Sequence, residues 1–518
     1  MLLFLMTLSA QAAGLDLLEV GGAWGTPGAT NPTAIWWNPA GLAVGGGTQF
    51  VVEGAPVFAK VYADRANPNY GSLEQTAAGT SDIPDGYPTE YDYSGRDDVS
   101  LNAVVPFIGV SSDFTVEGLG IGAGLAVPQA TGGEIENEWG ANRYSLRSGD
   151  IRAIQAILAA SYRVKKLVSF GVSGAFVDST WSANTDTVTY VDLSDAVREE
   201  FGGLEQPLGS FRDGYMEQRG YTATADFDGL KDQAFTFGAG VYVTPHEKVG
   251  ISAAFNKGMR LDHSGDVNLK FQCPPEYDFL VDIAARDQGL CDENRNGAEF
   301  NGTSTVGYSL PSRVNLGIVL FPVEQLRLEV MGSWVGWSAF TDYEITTEID
   351  ASEVTLVQPD DPDDPDDVAE AQETREKTAG LASQDLIWAR DGRDTFWVGI
   401  DAKHRVSDLF MYGGRVFYDR TSVPIESLQL NNFNGNTLGL MGMAMVSPVD
   451  KLGISLSLTH HIIPERTVDN SVFGLTVFDE GRKDARYRWP EANGSYGGSI
   501  TRLGIALRGR FGHDQAKW

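Results

Sequence analysis

The chain has 518 residues, of which 42 % are apolar, with 60 glycines and a formal net charge of −31 at a pI near 4.5. That charge excludes nucleic acid as a partner, because phosphates would be repelled. No run beyond residue 13 approaches the ~20 apolar residues of a spanning helix, which excludes the helical membrane class, whereas abundant glycine and 10 % aromatics suit many strands, tight turns and aromatic girdles.

The first predicted element is a secretory signal over residues 1–13. The apolar run Leu2 to Leu8 leads into Ala10-Gln11-Ala12-Ala13, a small-residue cleavage site. No Lys or Arg precedes the run, so the natural start is expected further upstream. A buried N-terminal strand is the alternative. Residues 14–47 follow, rich in Gly, Ala and Pro, with no run long enough to span as a strand. A segment of this kind can fold back into a wide barrel as a plug or remain an unstructured periplasmic leader.

From residue 48 to 511 the hydrophobic period is two, as in transmembrane strands of about ten residues. In 451–461, Leu452, Ile454, Leu456 and Leu458 are expected to face lipid, and Gly453, Ser455 and Ser457 the lumen. Leu503, Ile505 and Leu507 alternate with Gly504, Ala506 and Arg508, while Leu326, Leu328 and Val330 alternate with Arg327 and Glu329. Phe235, Phe237, Val241 and Val243 share one face. Fourteen strands are predicted, near 48–60, 99–112, 118–127, 142–163, 167–183, 233–245, 248–262, 305–320, 324–345, 393–406, 408–421, 434–446, 451–463 and 499–511. The chain is thus expected to be all-β, a fourteen-stranded antiparallel transmembrane barrel. Its connections alternate between tight turns, such as Arg163–Lys166 and Thr244–Glu247, and long loops over 61–98, 184–232, 263–304, 346–392 and 464–498. Short periplasmic turns and long external loops are the outer-membrane pattern, and an even strand number puts both ends in the periplasm.

The loops hold the remaining candidates. Phe201, Phe211 and Tyr215 in loop 184–232 form a candidate apolar groove, where Arg198 and Arg212 would meet a carboxylate head group or pair with neighbouring acids. Cys273 and Cys291 lie in one loop of an exported chain and are expected to be disulfide-bonded. Asp292, Asn294 and Asn296 match the first half of a calcium loop, but Thr303 occupies the twelfth position, so an Asn/Gly-rich turn competes with a calcium site. No other cofactor is expected. The run Gln358 to Asp367, Pro-Asp-Asp repeated, is predicted to be extended and solvated.

Against this background, Thr33-Ala-Ile-Trp-Trp-Asn38-Pro39-Ala40-Gly41-Leu42 resembles the N-terminal hatch signature of the FadL/TodX (OmpP1) family. Tyr308-Ser-Leu310-Pro311-Ser-Arg-Val314-Asn-Leu316-Gly317, Gln325–Glu329 with Trp334 and Trp337-Ser338, Phe396–Ile400, and Tyr412–Asp419 with Val423-Pro424 resemble its later strands in the same order. The resemblance implies a hatch at 14–47 inside the barrel, with Asn38, Pro39, Ala40 and Gly41 at its core. It implies passive uptake of long-chain fatty acids or other hydrophobic compounds across the bacterial outer membrane, and a monomer embedded in outer-membrane lipid and lipopolysaccharide. Ligand would land on an external groove and leave through a gap where one strand is kinked. By position that strand is the third, with Gly118, Gly120, Gly122, Gly124 and Pro128. Its glycines fit either a bend or close packing of the hatch. The tail 512–518 departs from the family pattern, leaving Phe511 and Trp518 both as the terminal aromatic.

An enzyme is not expected. His460-His461 are adjacent in a strand and point to opposite faces, and neither a G-x-S-x-G elbow nor H-E-x-x-H is present. A general or solute-specific diffusion porin is the remaining alternative.

Overall fold

A computed structural model describes residues 19–66, 94–188, 222–273, 285–294, 296–383, 385–449, 451–474, 486 and 489–512. The signal at 1–13, the start of the 14–47 segment, the tail from 513 and the groove candidates Arg198, Phe201, Phe211, Arg212 and Tyr215 lie outside the described residues.

One sheet holds eighteen strand segments. They are β1 (Thr48–Arg65), β2 (Gly95–Ser112), β3 (Leu119–Ile135), β4 (Ser148–Val164), β5 (Val168–Val188), β6 (Thr222–His246), β7 (Val249–Asn256), β8 (Met259–Phe271) and β9 (Glu299–Leu310). After these come β10 (Arg313–Val323), β11 (Leu326–Val335), β12 (Asp342–Ile349), β13 (Leu386–Ala389), β14 (Thr395–Arg405), β15 (Phe410–Asp419), β16 (Thr437–Val449), β17 (Leu452–Val468) and β18 (Gly494–Phe511). Four crossings are broken in two: β7 with β8, β9 with β10, β11 with β12, and β13 with β14. Fourteen strands therefore form the ring. The ring closes because β1 pairs antiparallel with both β2 and β18, from Thr48 opposite Phe511 to Arg65 opposite Gly494.

The pleat sorts side chains as period two demands. In β17, Ile454, Leu456 and Leu458 are exposed, whereas Gly453, Ser455, Ser457 and Thr459 are buried. Similar outward rows run around the ring, among them Val52, Ile108, Leu158, Val172, Ile318, Val330, Ile400 and Ile505. They make the apolar band that lipid covers. The two chain ends of the barrel and the short turns share one rim. At Lys165-Lys166 both residues take positive φ, +49° and +56°, the left-handed pair that matches strand twist in a two-residue hairpin.

Most strands outrun their sequence-based bounds at the long-loop rim. β1 continues to Arg65, β5 to Val188 and β8 to Phe271, and β6 begins at Thr222. Polar residues can stay in register there because that part of the wall stands in water. The fourth strand instead starts late, at Ser148, since residues 142–147 turn and bond inward, with Asn142 donating to Asp97 at 2.9 Å, and β15 and β16 also fall two or three residues short at this rim. The acidic run also ends differently. Its last residues open a helix, Pro365–Ala382, rather than staying extended. The Asp364 carboxylate caps the Asp366 N–H, Pro365 takes the first turn, and Asp366 and Asp367 favour the positive end of the helix dipole.

Among the described residues the long-loop rim carries a packed core. It contains Trp181, Tyr308, Phe340, Tyr343, Trp388 and Trp489. The helix docks on a neighbouring loop, with the Thr378 hydroxyl donating to the Gln288 carbonyl at 2.6 Å. That loop is tied by the Cys273–Cys291 disulfide, whose Cα atoms are 5.7 Å apart. Alkylation of the unfolded, unreduced protein is expected to leave its mass unchanged, and prior reduction to add two alkyl groups; two added groups without reduction would mean that the bond does not form.

Candidate functional site

Inside the ring, Glu19 to Gly45 is almost wholly buried. It is a chain of short turns: Gly22–Trp24, Ala34–Trp37, Pro39–Gly41 and Leu42–Gly45. Small residues explain the compact path, because the segment must fit between inward side chains of the wall. Ala34, Ile35, Trp36, Trp37 and Leu42 pack with Val51, Phe107, Ile157, Ala175, Met331, Trp397 and Phe417. Trp37 donates to the Val20 carbonyl at 2.8 Å and stands edge-on to Trp397.

Asn38 organises the tightest contact. Its side-chain oxygen accepts the Ala40 N–H at 3.1 Å and its amide donates to the Val241 carbonyl at 3.1 Å. Ser169 donates to the Ala40 carbonyl at 2.7 Å. Two wall glycines make room. A Cβ on Gly171 would sit 2.3 Å from the Ala40 nitrogen, and one on Gly240 would sit 2.1 Å from Asn38 Oδ1. Gly171→Val is therefore expected to dislodge the Asn38–Gly41 turn while the barrel still forms. Hydrogen exchange should then rise by about tenfold or more at Trp36–Leu42; unchanged exchange there would contradict the contact. Asn256 and Asn315 complete this side, donating to the carbonyls of Trp36 and Trp37 at 3.0 and 3.2 Å.

The opposite side is fastened by charge. Glu329 accepts the Gly28 N–H at 2.7 Å and pairs with Arg327 at 2.6 Å, while Arg327 donates to the Gly28 carbonyl at 3.1 Å. Asp401 receives Lys403 at 2.5 Å, Arg415 at 3.2 Å and Arg327 at 3.5 Å. Arg415 reaches on to the Gly25 carbonyl at 2.9 Å, and Trp24 donates to Ser455 at 3.0 Å under the guanidinium of Arg508. Glu19 accepts from Thr459 at 2.8 Å and from His461 at 3.3 Å, and lies 3.7 Å from Arg502. Burial alone would raise the Glu19 carboxyl, but the His461 hydrogen bond and the Arg502 charge outweigh it and hold it down at about 2. His460 lies on the outer face, bonded to Thr501. Sequence reading named Arg327 and Glu329 only as alternating with Leu326, Leu328 and Val330, and missed Asp401, Lys403 and Arg415. The signal was present: charges alternate with Phe396, Val398, Ile400 and Val416, and charges among lipid-facing residues must point inward.

The third strand has two distinct parts. Gly120, Gly122 and Gly124 abut the N-terminal segment: Cβ atoms there would lie 2.5 Å from the Ala43 nitrogen, 2.7 Å from Ile35 Cγ2 and 2.6 Å from Ile35 Cδ1. These glycines serve close packing, and Gly118, at φ +79°, serves the turn into the strand. The irregular part begins at Val127-Pro128, which fall in a register shift against β4. On the other edge, β2 and β3 pair through Ser100–Glu134 and again from Phe107–Ala126, but not between. Residues Leu101–Pro106 and Val127–Gly133 thus face each other without a ladder. Pro106 and Pro128 have no N–H to offer one. Behind this seam lies a small apolar cluster of Val57, Ala59, Ala103, Val105, Val127 and Ala130.

Two cavities border these elements. One, of about 450 Å³ to its mouth, lies at the long-loop end beside Leu146, Ile151, Trp181, Tyr343 and Trp388. The other, of about 510 Å³ to its mouth, lies against Ile35 and Trp36 and runs past Gln129 and Ile157. The candidate calcium residues sit elsewhere, in the disulfide loop. Both carboxylate oxygens of Asp292 accept from Asn296, backbone N–H at 2.6 Å and side-chain amide at 2.7 Å, which is the bonding of an Asn-rich turn.

Comparison with known proteins bears on this arrangement. Residues 3–364 match the model of a family described as outer membrane protein transport protein (OMPP1/FadL/TodX). A Pseudomonas aeruginosa FadL homologue of known structure superposes with a TM-score of 0.66 at 15 % identity, covering 98 % of this chain and 99 % of that one. The toluene transporter TodX of P. putida gives 0.58 at 11 % identity, covering 93 % and 95 %. The toluene transporter TbuX of Ralstonia pickettii gives 0.56 at 15 % identity, covering 98 % and 100 %. At these identities the likeness is one of fold. No curated protein matches the sequence.

Proposed function

The chain belongs to the outer membrane transport family of OMPP1, FadL and TodX, and from that premise we propose that it passes long-chain fatty acids or other hydrophobic compounds through the barrel wall. An apolar solute partitions readily into apolar surface but crosses the polar lipopolysaccharide layer poorly. The aromatic cavity at Trp181, Tyr343 and Trp388 offers it a first site, and the cavity against Ile35 and Trp36 a second. The N-terminal segment acts as a hatch, and the seam between β2 and β3 is the exit into the membrane. No energy source is needed down a gradient. Ligand moves the hatch only by binding the shifted state more tightly. Two structural neighbours are toluene transporters, so aromatic hydrocarbons stand beside fatty acids as candidate cargo.

The observation that carries this reading is the unpaired seam at Leu101–Pro106, backed by apolar side chains rather than by charge. Ala103 and Ala130 belong to the cluster behind it, and cysteines there can tie the seam shut. In cells depleted of other uptake routes, the oxidised Ala103→Cys, Ala130→Cys double variant is expected to lose about nine-tenths or more of labelled oleate and toluene entry. Reduction should restore it. Full uptake with the cross-link verified by mass would sink the lateral exit.

A further inference from the structure

The wall has a second seam. β6 pairs with β7 from Gly238 to His246 and with β8 from Ala223 to Lys231, which leaves Asp232–Phe237 without ladder partners on that edge. The seam is pinned only at its ends. Lys257 N–H donates to the Phe237 carbonyl at 2.9 Å, the Thr236 hydroxyl to the Lys257 carbonyl at 2.6 Å, and Asp262 N–H to the Asp232 carboxylate at 2.7 Å. Between these pins, Gln233–Phe235 and Gly258–Leu261 share no hydrogen bond.

The cause lies on the far side of β8. Gly258 is drawn away from β6: its N–H donates to Ser312 at 2.9 Å, and a Cβ on it would meet the Leu310 carbonyl at 2.3 Å. The break between β7 and β8 thus follows the break at Pro311, and β6 is left behind. Directly behind the seam is the cavity against Ile35 and Trp36, whose lining takes in Thr236, Phe237, Lys257 and Met259 from the seam and the polar Gln129, Gln155 and Asn256 deeper in the wall. Outside it, Phe235 is 79 % exposed, with Phe237 and Phe176 beside it. An aromatic side chain so bare on this face lies against lipid at the membrane interface. Lys257 is exposed at the lip, with no carboxylate in ion-pair range among the described residues.

We propose that this seam is a second lateral port, through which the tail of an anionic single-chain amphiphile in the membrane enters the cavity against Trp36 while Lys257 holds its head group outside. The slot runs for about three residues, roughly 10 Å along the strand, a shape that suits an alkyl tail lying along the wall. The Lys257 ammonium supplies the charge complement at the Thr236–Phe237 end of the slot, away from the Asp232 carboxylate that pins the other end. The inference rests on the hydrophobic-transport reading but adds a route that this reading does not require.

The test is photolabelling of the full-length protein in lipid nanodiscs with palmitic acid carrying a mid-chain diazirine. Adducts are expected on the peptides holding Phe235–Phe237 and Met259. Thr236→Trp, which fills the mouth, should reduce them at least tenfold, and Lys257→Glu severalfold, with adducts at Ala103–Pro106 unchanged. Heat-dependent gel mobility verifies that each variant barrel is folded. Labelling at the β2–β3 seam and none at Phe235–Met259 in the unmodified protein would overturn the port and leave the transport reading standing. Labelling at neither seam would overturn both. A diazirine phospholipid labelling Phe235–Met259 where palmitic acid does not would overturn the single-chain occupant.

Discussion

Deleting residues 14–47 is expected to turn the protein into a leaky pore, with conductance in planar bilayers above that of the full chain by about tenfold or more. A ring of fourteen strands leaves an open lumen unless something fills it. Here the filling is Glu19 to Gly45, whose Ile35, Trp36, Trp37 and Leu42 pack against inward residues of the wall. The lumen is otherwise lined by small or polar residues such as Gly120, Gly171, Ser169, Ser455 and Thr459, which water would readily cover. The ring itself closes through β1 and β18 without help from the segment, so the deletion should leave a folded barrel. Conductance equal to that of the full chain would sink the hatch assignment.

The second large effect is expected at Asp401. Its carboxylate is the common counter-charge for Arg327, Lys403 and Arg415, all buried. Asp401→Ala takes the shared partner from three buried cations and leaves Arg327 its pair with Glu329, and breaking a buried pair in this way costs about 3–5 kcal/mol. The temperature at which the barrel loses its compact gel mobility should fall accordingly. Because Arg415 and Arg327 also hold the Gly25 and Gly28 carbonyls, conductance should rise as well. Adding Lys403→Met should recover part of the loss, since it removes one of the uncompensated charges. A double variant weaker than Asp401→Ala would show that Lys403 is bound by something other than this carboxylate.

Much of this was legible in the sequence because a barrel strand obeys one rule, alternation, over its whole length. β17 shows it residue by residue, whereas β3 loses it beyond Ala126. The breaks within four crossings were not legible. They arise where distant backbone meets, as Gly258 meets Leu310 and Pro311, and single-sequence periodicity holds no record of such contacts. The glycines of β3 posed the converse problem: their spacing fitted a bend or a packing surface equally, and only the position of Ile35 and Ala43 separates the two. Pro128 was readable as a breaker, but the missing ladder depends on Pro106 in the neighbouring strand too. The inward charges at 401, 403 and 415 were visible yet unconnected, since alternation assigns a face and not a partner.

The fastening of the N-terminal segment is uneven around the ring. Hydrogen bonds or ion pairs join it to β1, β5, β6, β7, β10, β11, β15, β17 and β18, but among the described residues none joins it to β3 or β4, where it meets glycine and methyl groups. Its resistance to displacement is therefore anisotropic. Sliding along β3 breaks only dispersion contacts of about 0.1–0.2 kcal/mol per atom pair, whereas lifting off β11 or β15 exposes buried charge. The soft direction is the one that runs along the strand bordering the β2–β3 seam, which is where the proposed exit would require the segment to yield.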